Sequence, residues 1–390
     1  MSCYISSNEN RFYAGPEASY GQTPVVSKAN RLPAVKLNVK HSVEKPQRKD
    51  KVGGRSFAGL PTGLRKKTEY SLRTYLTAWN DTNEQPGYGP LFRSAMGAAP
   101  RVHPGLALAE TSTTNQLRFN STHGLVAGQA VTVGNDLRFV SAVSDPQTIE
   151  LNAPLTSAPG SGARTGATIT YTLGKSLPSA SIFDYWSPAS SLHRILCGAV
   201  VDEMKIVVNS DFHEFQFSGP AQDVLDSVSF TSGQGDLTEF PAEPEIDGFD
   251  YTIVPGHIGQ AWLGVMPDRF YSLTAAELSL DNGIDVRNRE FGSSVIRCIA
   301  PGVRAVSLDF ELYSTDQDST KSLYQASRQR SPISAMFQLG DQQGQMFGVY
   351  LKSVVPETPQ FDDAETRVRW KFSGCRAQGT SDDEMVIAFG

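Results

Sequence analysis

The chain has 390 residues, of which 39% are hydrophobic and 19% charged, and its formal net charge is -6. This composition excludes a chain that is disordered throughout, and the length suffices for two or three domains with a buried core. No stretch approaches the roughly eighteen apolar residues of a membrane-spanning helix, and the start lacks the basic cap and apolar run of a secretory signal, so we expect neither membrane insertion nor export by that route.

The charge is distributed unevenly along the chain. Residues 1–67 carry 13 Lys and Arg against 4 Asp and Glu, a net +9, and residues 68–390 carry 22 against 37, a net -15. The basic excess is concentrated in 36–67, whereas the stretch 223–250 holds carboxylates and no Lys or Arg. Such runs are usually solvated loops; the alternative is that the basic loop of one copy of the protein meets the acidic loop of another.

The predicted elements are mostly strands. Residues 1–31, rich in Ser, Asn, Gly and Pro, are expected to form an extended arm. Apolar and polar residues then alternate from Leu32 to Lys40, and the same period of two returns at Glu214 to Phe217, Leu273 to Asp281 and Arg367 to Phe372. Frequent Gly and Pro between such runs indicate an antiparallel, mainly β protein.

Helices and an insertion interrupt these strands. Short helices are predicted over Leu91–Gly97 and Asp316–Arg330, the second with an Asp near its start and Pro332 after its end. Residues 104–175 form a charge-neutral series of short β-like runs around a Gly- and Ser-rich segment. We expect a small inserted β domain there, since a surface loop tolerates such an insertion.

The order of these features repeats. A strand, a helix candidate and a Phe-Ser-Gly triplet follow one another in each half, with the triplets at Phe217–Gly219 and Phe372–Gly374. The pattern predicts two tandem β-sandwich or barrel units, each with a short helix. The predicted divisions are the arm 1–31, a first unit 32–235 that contains the inserted domain 104–175, an acidic linker 236–269, and a second unit 270–390.

Catalytic patterns are missing from the sequence. The six histidines form no H-E-x-x-H pair, no G-x-S-x-G elbow occurs, and the Gly-rich segment 160–166 lacks the terminal Lys-Ser or Lys-Thr of a phosphate loop. The four cysteines lie far apart without C-x-x-C spacing, which argues against a zinc site and a disulfide scaffold and favours a reducing compartment. We expect a protein that is not an enzyme and holds no cofactor or metal.

Seven stretches share one recognisable pattern: residues 68–76, 89–97, 198–204 and 214–219 in the first half, and 276–283, 370–374 and 382–389 in the second. In these stretches and in their order the sequence resembles the major tail tube proteins of long-tailed, siphovirus-like bacteriophages. The resemblance extends over most of 32–390 apart from the inserted domain. Many relatives carry one such unit, whereas this chain carries the pattern twice.

The resemblance implies a structural virion protein whose copies form stacked rings around a channel. Two units per chain then predict a trimeric ring with pseudo-sixfold symmetry, in which inner sheets fuse into one barrel and no strand edge stays free. The polar residues of the alternating strands are the candidates for the channel lining, namely Lys36, Asn38, Lys40, Glu214, Gln216, Glu277, Ser279, Asp281, Arg367, Arg369 and Lys371. The candidates for contact between rings are Lys45, Arg48, Lys49, Lys51, Arg55, Asp236, Glu239, Glu243 and Glu245.

The implied partners are other copies of the chain, the tail terminator, tape measure and distal tail proteins, and double-stranded DNA in transit, with no membrane. The implied location is the phage tail, with assembly in the host cytoplasm. An acidic body suits a DNA conduit, because it repels phosphates. Two alternatives stay open: a tail terminator, distal tail or baseplate ring component, and a carbohydrate-binding adhesin that uses Phe119 or Tyr171 of the inserted domain.

Overall fold

The computed structural model describes residues 4–46, 49–57, 59–60, 63–79, 85–245, 252–286 and 290–390. These residues form a mainly β protein, as predicted. The helices are α1 (Gly89–Met96) and α2 (Asp318–Gln329). The strands are β1 (Asn10–Pro16), β2 (Arg31–Leu32), β3 (Ala34–Val43), β4 (Lys66–Tyr75), β5 (Arg101–His103), β6 (Gln116–Arg118), β7 (Ala130–Val133), β8 (Asp136–Asp145), β9 (Thr148–Leu151), β10 (Thr168–Thr172), β11 (Ala180–Trp186), β12 (Arg194–Ala199), β13 (Glu203–Val208), β14 (Glu214–Ala221), β15 (Asp223–Asp226), β16 (Gly259–Gly264), β17 (Asp268–Arg269), β18 (Leu273–Asp281), β19 (Ala305–Tyr313), β20 (Ile333–Leu339), β21 (Phe347–Val355), β22 (Gln360–Asp362), β23 (Arg369–Ala377) and β24 (Val386–Phe389).

One long antiparallel sheet runs through the molecule. Its strands lie in the order β3-β4-β14-β13-β18-β19-β23-β22, so strands from both halves of the chain belong to it. The halves meet where β13 pairs with β18 along six consecutive residue pairs. We call this pairing the internal junction.

Two outer layers cover the apolar face of the long sheet. The first has the order β15-β12-β11-β1-β2. The second has the order β24-β21-β20-β16-β17, and β10 and β5 extend it beyond β24. It is continuous with the long sheet, because β21 also pairs with the far end of β23, at Val354–Ala377 and Val355–Arg376. The core between the layers is built from apolar residues of both halves, in keeping with a β-sandwich.

The two halves share one pattern of strand pairing. In the first half the pairs are β1–β2, β1–β11, β11–β12, β12–β15, β13–β14, β14–β4 and β4–β3. In the second half the corresponding pairs are β16–β17, β16–β20, β20–β21, β21–β24, β22–β23, β23–β19 and β19–β18. Each set has its helix at the same place, after the fourth strand.

The helices differ in burial. All residues of α1 except Arg93 are buried, and the ring of Phe92 packs against Phe215 of the first half and against Phe347 and Phe389 of the second. In α2 only one face is buried, through Thr320, Leu323, Ala326 and Ser327. The helix at the internal junction is thus part of the core, whereas α2 lies at the surface.

The predicted arm is wrong for residues 10–16, which form β1. Phe12 and Ala14 face the central core, and Tyr13 faces a second cluster on the other side of the sheet. With both faces buried the strand shows no polar alternation, which is the reason that the sequence pattern did not reveal it.

The segment predicted as an acidic linker, 236–269, also differs from its prediction in the structure. Its first part lies over the outer layer of the first half, where Leu237 and Phe240 cover Tyr13 and neighbouring residues. Its last part, from residue 259, forms β16 and β17 of the second outer layer. The linker is therefore structured at both ends of its described part.

The inserted segment contains a separate four-stranded sheet of order β6-β9-β8-β7, but β10, which also lies within 104–175, pairs with β24 and β5. Leu137 and Phe139 of β8 pack against Trp262, Met336 and the ring of Tyr350 in the second half. The insertion begins after α1 of the first half and covers the outer layer of the second half. It joins the two halves.

Candidate assembly surface

Period-two alternation gives the long sheet one polar and one apolar face. In β4, for example, Thr68, Tyr70, Leu72 and Thr74 are buried, and the residues between them point the other way. All predicted channel residues except Arg367 lie on strands of this sheet, and we call the side on which they lie the polar face. Arg367 is in the loop before β23, where its guanidinium lies 5.3 Å from the ring centre of Tyr313.

The polar face holds as many cationic as anionic side chains. The cations are Lys36, Lys40, Lys67, Arg73, Lys205, Arg369, Lys371 and Arg376, and the anions are Glu69, Glu203, Glu214, Glu277, Asp281, Asp309, Glu311 and Asp362. The acidic excess of the body is therefore not concentrated here, contrary to the idea of a repelling acidic wall.

Many of these charges pair with a neighbour on the next strand. Lys205 Nζ lies 2.8 Å from Glu277 Oε1 across the internal junction, and this hydrogen bond raises the pKa of Lys205. Lys371 Nζ lies 3.1 Å from Asp362 Oδ2 and lowers the pKa of that carboxyl group. The remaining cross-strand pairs are Arg369 with Asp362 at 3.1 Å, Arg73 with Glu214 at 3.7 Å, Lys40 with Glu69 at 3.8 Å and Lys371 with Glu311 at 3.8 Å. Such exposed pairs contribute little stability, but they neutralise the face locally.

Four of the basic residues on this face escaped the sequence analysis, namely Lys67, Arg73, Lys205 and Arg376. Arg73 and Lys205 lie on β4 and β13, directly beside Gln216 of β14. The alternation from Thr68 to Tyr75 is visible in the sequence and would have revealed Arg73. Strand β22 was also missed, because a three-residue strand carries no periodicity.

The long loop between β3 and β4 carries the predicted basic contacts. Lys45, Lys49, Lys51 and Arg55 are exposed, and none of them forms an ion pair with any residue that the structure describes. Arg48 lies outside the described residues. The same loop exposes Phe57 at 73% of its surface, and the equivalent loop between β18 and β19 exposes Phe291 fully, at 102%.

The acidic candidates fall into two groups. Asp236, Glu239 and Glu245 are exposed. Glu243 is half-buried, where it accepts hydrogen bonds from Arg11 and from Tyr13 Oη. The carboxylate thereby holds the linker against β1 within one chain, and its contact between rings stays a prediction.

One basic and one acidic segment already touch within a single chain. Lys66 Nζ at the base of the β3–β4 loop lies 2.7 Å from Asp223 Oδ2 at the start of β15. The backbone N–H of Lys66 also donates to Ser294 of the other long loop at 2.8 Å. The base of the β3–β4 loop is thus hydrogen-bonded to the middle of the β18–β19 loop.

The residues considered for carbohydrate binding are not on the surface. Phe119 is 1% exposed in the core of the inserted sheet, and Tyr171 is 0% exposed beside Phe92. The adhesin alternative therefore loses the residues on which it rested.

Two further features are absent from the described residues. None of their helices is both long and apolar enough to cross a membrane. No group of three or more His, Cys, Asp or Glu side chains among them is arranged to hold a metal ion.

The fold defines a class of protein: a mainly β chain with two strand sets of the same pairing pattern, joined through one long sheet with a polar face. Comparison with known structures finds similarity to the SPP1 tail tube, determined by solid-state NMR and cryo-electron microscopy, at 11% sequence identity and a TM-score of 0.28. The match covers 35% of this chain and 79% of that one. No family model and no curated protein matches the chain.

Proposed function

We propose that this chain is the structural protein of a phage tail tube, and that its copies form rings which stack around a channel for DNA. Three copies make one ring, and each copy contributes two equivalent strand sets, which gives the ring pseudo-sixfold symmetry. The polar face lines the channel and the outer layers face outward. The chain has no catalytic role and needs no cofactor.

The observation that carries this proposal is the long sheet itself. None of the described residues forms a layer over its polar face, although its other face packs on two outer layers. A curved sheet of this kind closes on itself when copies join at its ends, and closure removes the free strand edges. Water then fills the channel and solvates the polar face.

The charge balance of the polar face fits DNA in transit. Paired lysines and arginines offer a passing phosphate little net attraction, so DNA contacts the wall without being held by it. This replaces repulsion by an acidic wall as the reason for free passage.

Rings stack, in this proposal, through the loop between β3 and β4. Its lysines have no partner within the described part of the chain, and Asp236, Glu239 and Glu245 are exposed carboxylates that the next ring offers. The remaining partners follow from the function: a tail terminator, a tape measure and a distal tail protein in the virion, after assembly in the host cytoplasm.

Negative-stain electron microscopy of the purified protein, with native mass spectrometry of any rings, tests the proposal. We expect hollow tubes or rings that contain three chains. Rings of six chains would contradict the role of the two strand sets, and monomers at all concentrations would contradict tube formation.

A second candidate function is a tail terminator, distal tail or baseplate ring component. The same polar face would line its channel. Such a component makes a single ring rather than a tube, so the length of the assemblies in the same images separates the two functions.

A further inference from the structure

The internal junction shows how two strand sets join. β13 pairs with β18 so that Lys205 lies opposite Ser279, Ile206 opposite Leu278 and Val207 opposite Glu277. Ile206 is 0% and Leu278 is 1% exposed, so the apolar sides of both strands are covered. The long sheet continues through this point without a break.

The two sets can be aligned residue by residue from their pairing. Phe217 lies opposite Leu72 in the first set, and Phe372 lies opposite Phe310 in the second, which makes these two pairs equivalent. The β-bulges agree: the register shifts between Ala34 and Lys36 in β3 and between Leu273 and Ala275 in β18. Bulges are localised features of a strand, so their coincidence fixes the alignment of β3 with β18.

The alignment gives each half of the internal junction a counterpart at an end of the long sheet. β22 corresponds to β13, with Phe361 in the place of Ile206. β3 corresponds to β18, with Val39 in the place of Leu278. Within the described residues, β3 pairs only with β4 and β22 pairs only with β23, so each has a neighbour on one side only. Beyond β22, the far end of β23 pairs with β21 of the second outer layer.

We propose that β22 of one copy pairs antiparallel with β3 of the next copy, in the register of the internal junction. Gln360 then lies opposite Lys40, Phe361 opposite Val39 and Asp362 opposite Asn38. The pairing rests on the proposed ring, and it defines which strands and which residues of the second copy complete the sheet.

The exposure of the two end strands supports this pairing. Phe361 is 57% exposed although its counterpart at the internal junction is fully buried, and Val35 and Val43 of β3 are 37% and 39% exposed. The copy that completes the sheet covers these side chains, as β18 covers Ile206. Lysines at Lys36 and Lys40 on the edge strand keep the separate chain from pairing indiscriminately.

The helices fit the same arrangement. α1 lies at the internal junction, where the buried Asn282 at the end of β18 donates its side-chain N–H to the carbonyl of Ala95 at 3.0 Å. α2 occupies the equivalent place beside β22, with Tyr324 against Phe361. Its polar outer face suits a junction that forms only on assembly, because the free chain must expose it to water.

Cysteine cross-linking on the polar face tests the register. The background carries Cys3→Ser and Cys298→Ser, since Cys298 is exposed whereas Cys197 and Cys375 are buried. The test pair is Lys40→Cys with Gln360→Cys. The controls are Asn38→Cys with Gln360→Cys and Ser42→Cys with Gln360→Cys, which lie on the same face but about 7 Å out of register, beyond the reach of an unstrained disulfide.

Oxidised assemblies are analysed on non-reducing gels and by electron microscopy. We expect the test pair to give a covalent ladder that ends at the number of chains in a ring, and at least tenfold less product from the controls. Tubes with stronger cross-linking in a control pair would overturn the register. Tubes with no cross-link in any pair would overturn the edge pairing and leave the tube function standing, whereas an unmodified protein without rings or tubes would remove both.

Discussion

Arg138 is the side chain that ties the inserted sheet to the second half, and its removal should destabilise the protein strongly. It is 0% exposed. Its guanidinium donates to Asp136 Oδ1 at 3.0 Å, Gln260 Oε1 at 2.8 Å and Gln338 Oε1 at 3.0 Å, besides two backbone carbonyls. Burial lowers the pKa of Arg138 to about 10, which still leaves it charged at neutral pH.

The expected cost of Arg138→Met follows from what remains. Asp136 keeps hydrogen bonds from Thr156 and Gln260 but loses its only cation among the described residues, and two glutamine oxygens lose a donor. Breaking a buried ion pair by removing one partner costs about 3–5 kcal/mol. The double variant Arg138→Met with Asp136→Leu should recover part of that loss, because the uncompensated charge is gone.

Trp262 provides the assay. Its ring centre lies 5.1 Å from the Arg138 guanidinium, and it contributes, with the other three tryptophans, to the fluorescence that follows unfolding by guanidinium chloride. The control is Arg118→Met, an exposed arginine on the same inserted sheet, which should change stability by less than about 0.5 kcal/mol. A loss below about 1 kcal/mol for Arg138→Met would refute the idea that this network fixes the insertion.

Three further predictions concern assembly and pH. Charge reversal in the β3–β4 loop, in the variant Lys45→Glu, Lys49→Glu and Lys51→Glu, should leave single rings but abolish their stacking. Tubes of this variant in electron micrographs would argue against it. The control is Lys175→Glu, which reverses an exposed lysine outside this loop. The exposed side chains of Phe57 and Phe291 are expected to become buried where one subunit ring stacks on the next. Replacing both by Ser should then shorten the tubes at high salt, where charge contacts are screened. Unchanged tube lengths would count against this. Burial lowers the pKa of His103 to about 4, so the folded state disfavours its protonation: stability should be full above about pH 6.5 and fall by about 2–3 kcal/mol towards pH 4. His103→Gln should reduce this loss and the exposed His257→Gln should not, as measured by denaturant titration at each pH; equal losses in both variants would contradict the assignment.

Strands with one solvent-exposed face could be predicted from the sequence, whereas strands with two buried faces could not. β18 has the predicted bounds Leu273–Asp281 because its polar and apolar residues alternate. β1 has Phe12 and Tyr13 buried on opposite sides, so its composition resembles an irregular segment. Periodicity reports the contrast between two environments, and it is silent where both are the same.

The polar face followed from alternation, but its charge pairing did not. The sequence places Lys205 and Glu277 in different halves, and only the register of β13 against β18 brings them together. Net charge summed along the chain likewise gave the wrong picture of this face. The acidic residues of the linker lie elsewhere, and Glu243 is occupied by Arg11.

The insertion occurs in one of the two strand sets only, yet it covers the other set as well. Around a ring of three chains the channel wall would repeat six times, whereas the exterior would repeat three times, with an inserted sheet at every second position. A receptor, antibody or neighbouring virion protein that binds the inserted sheets would find three sites per ring, spaced 120° apart, on a tube whose interior is close to sixfold.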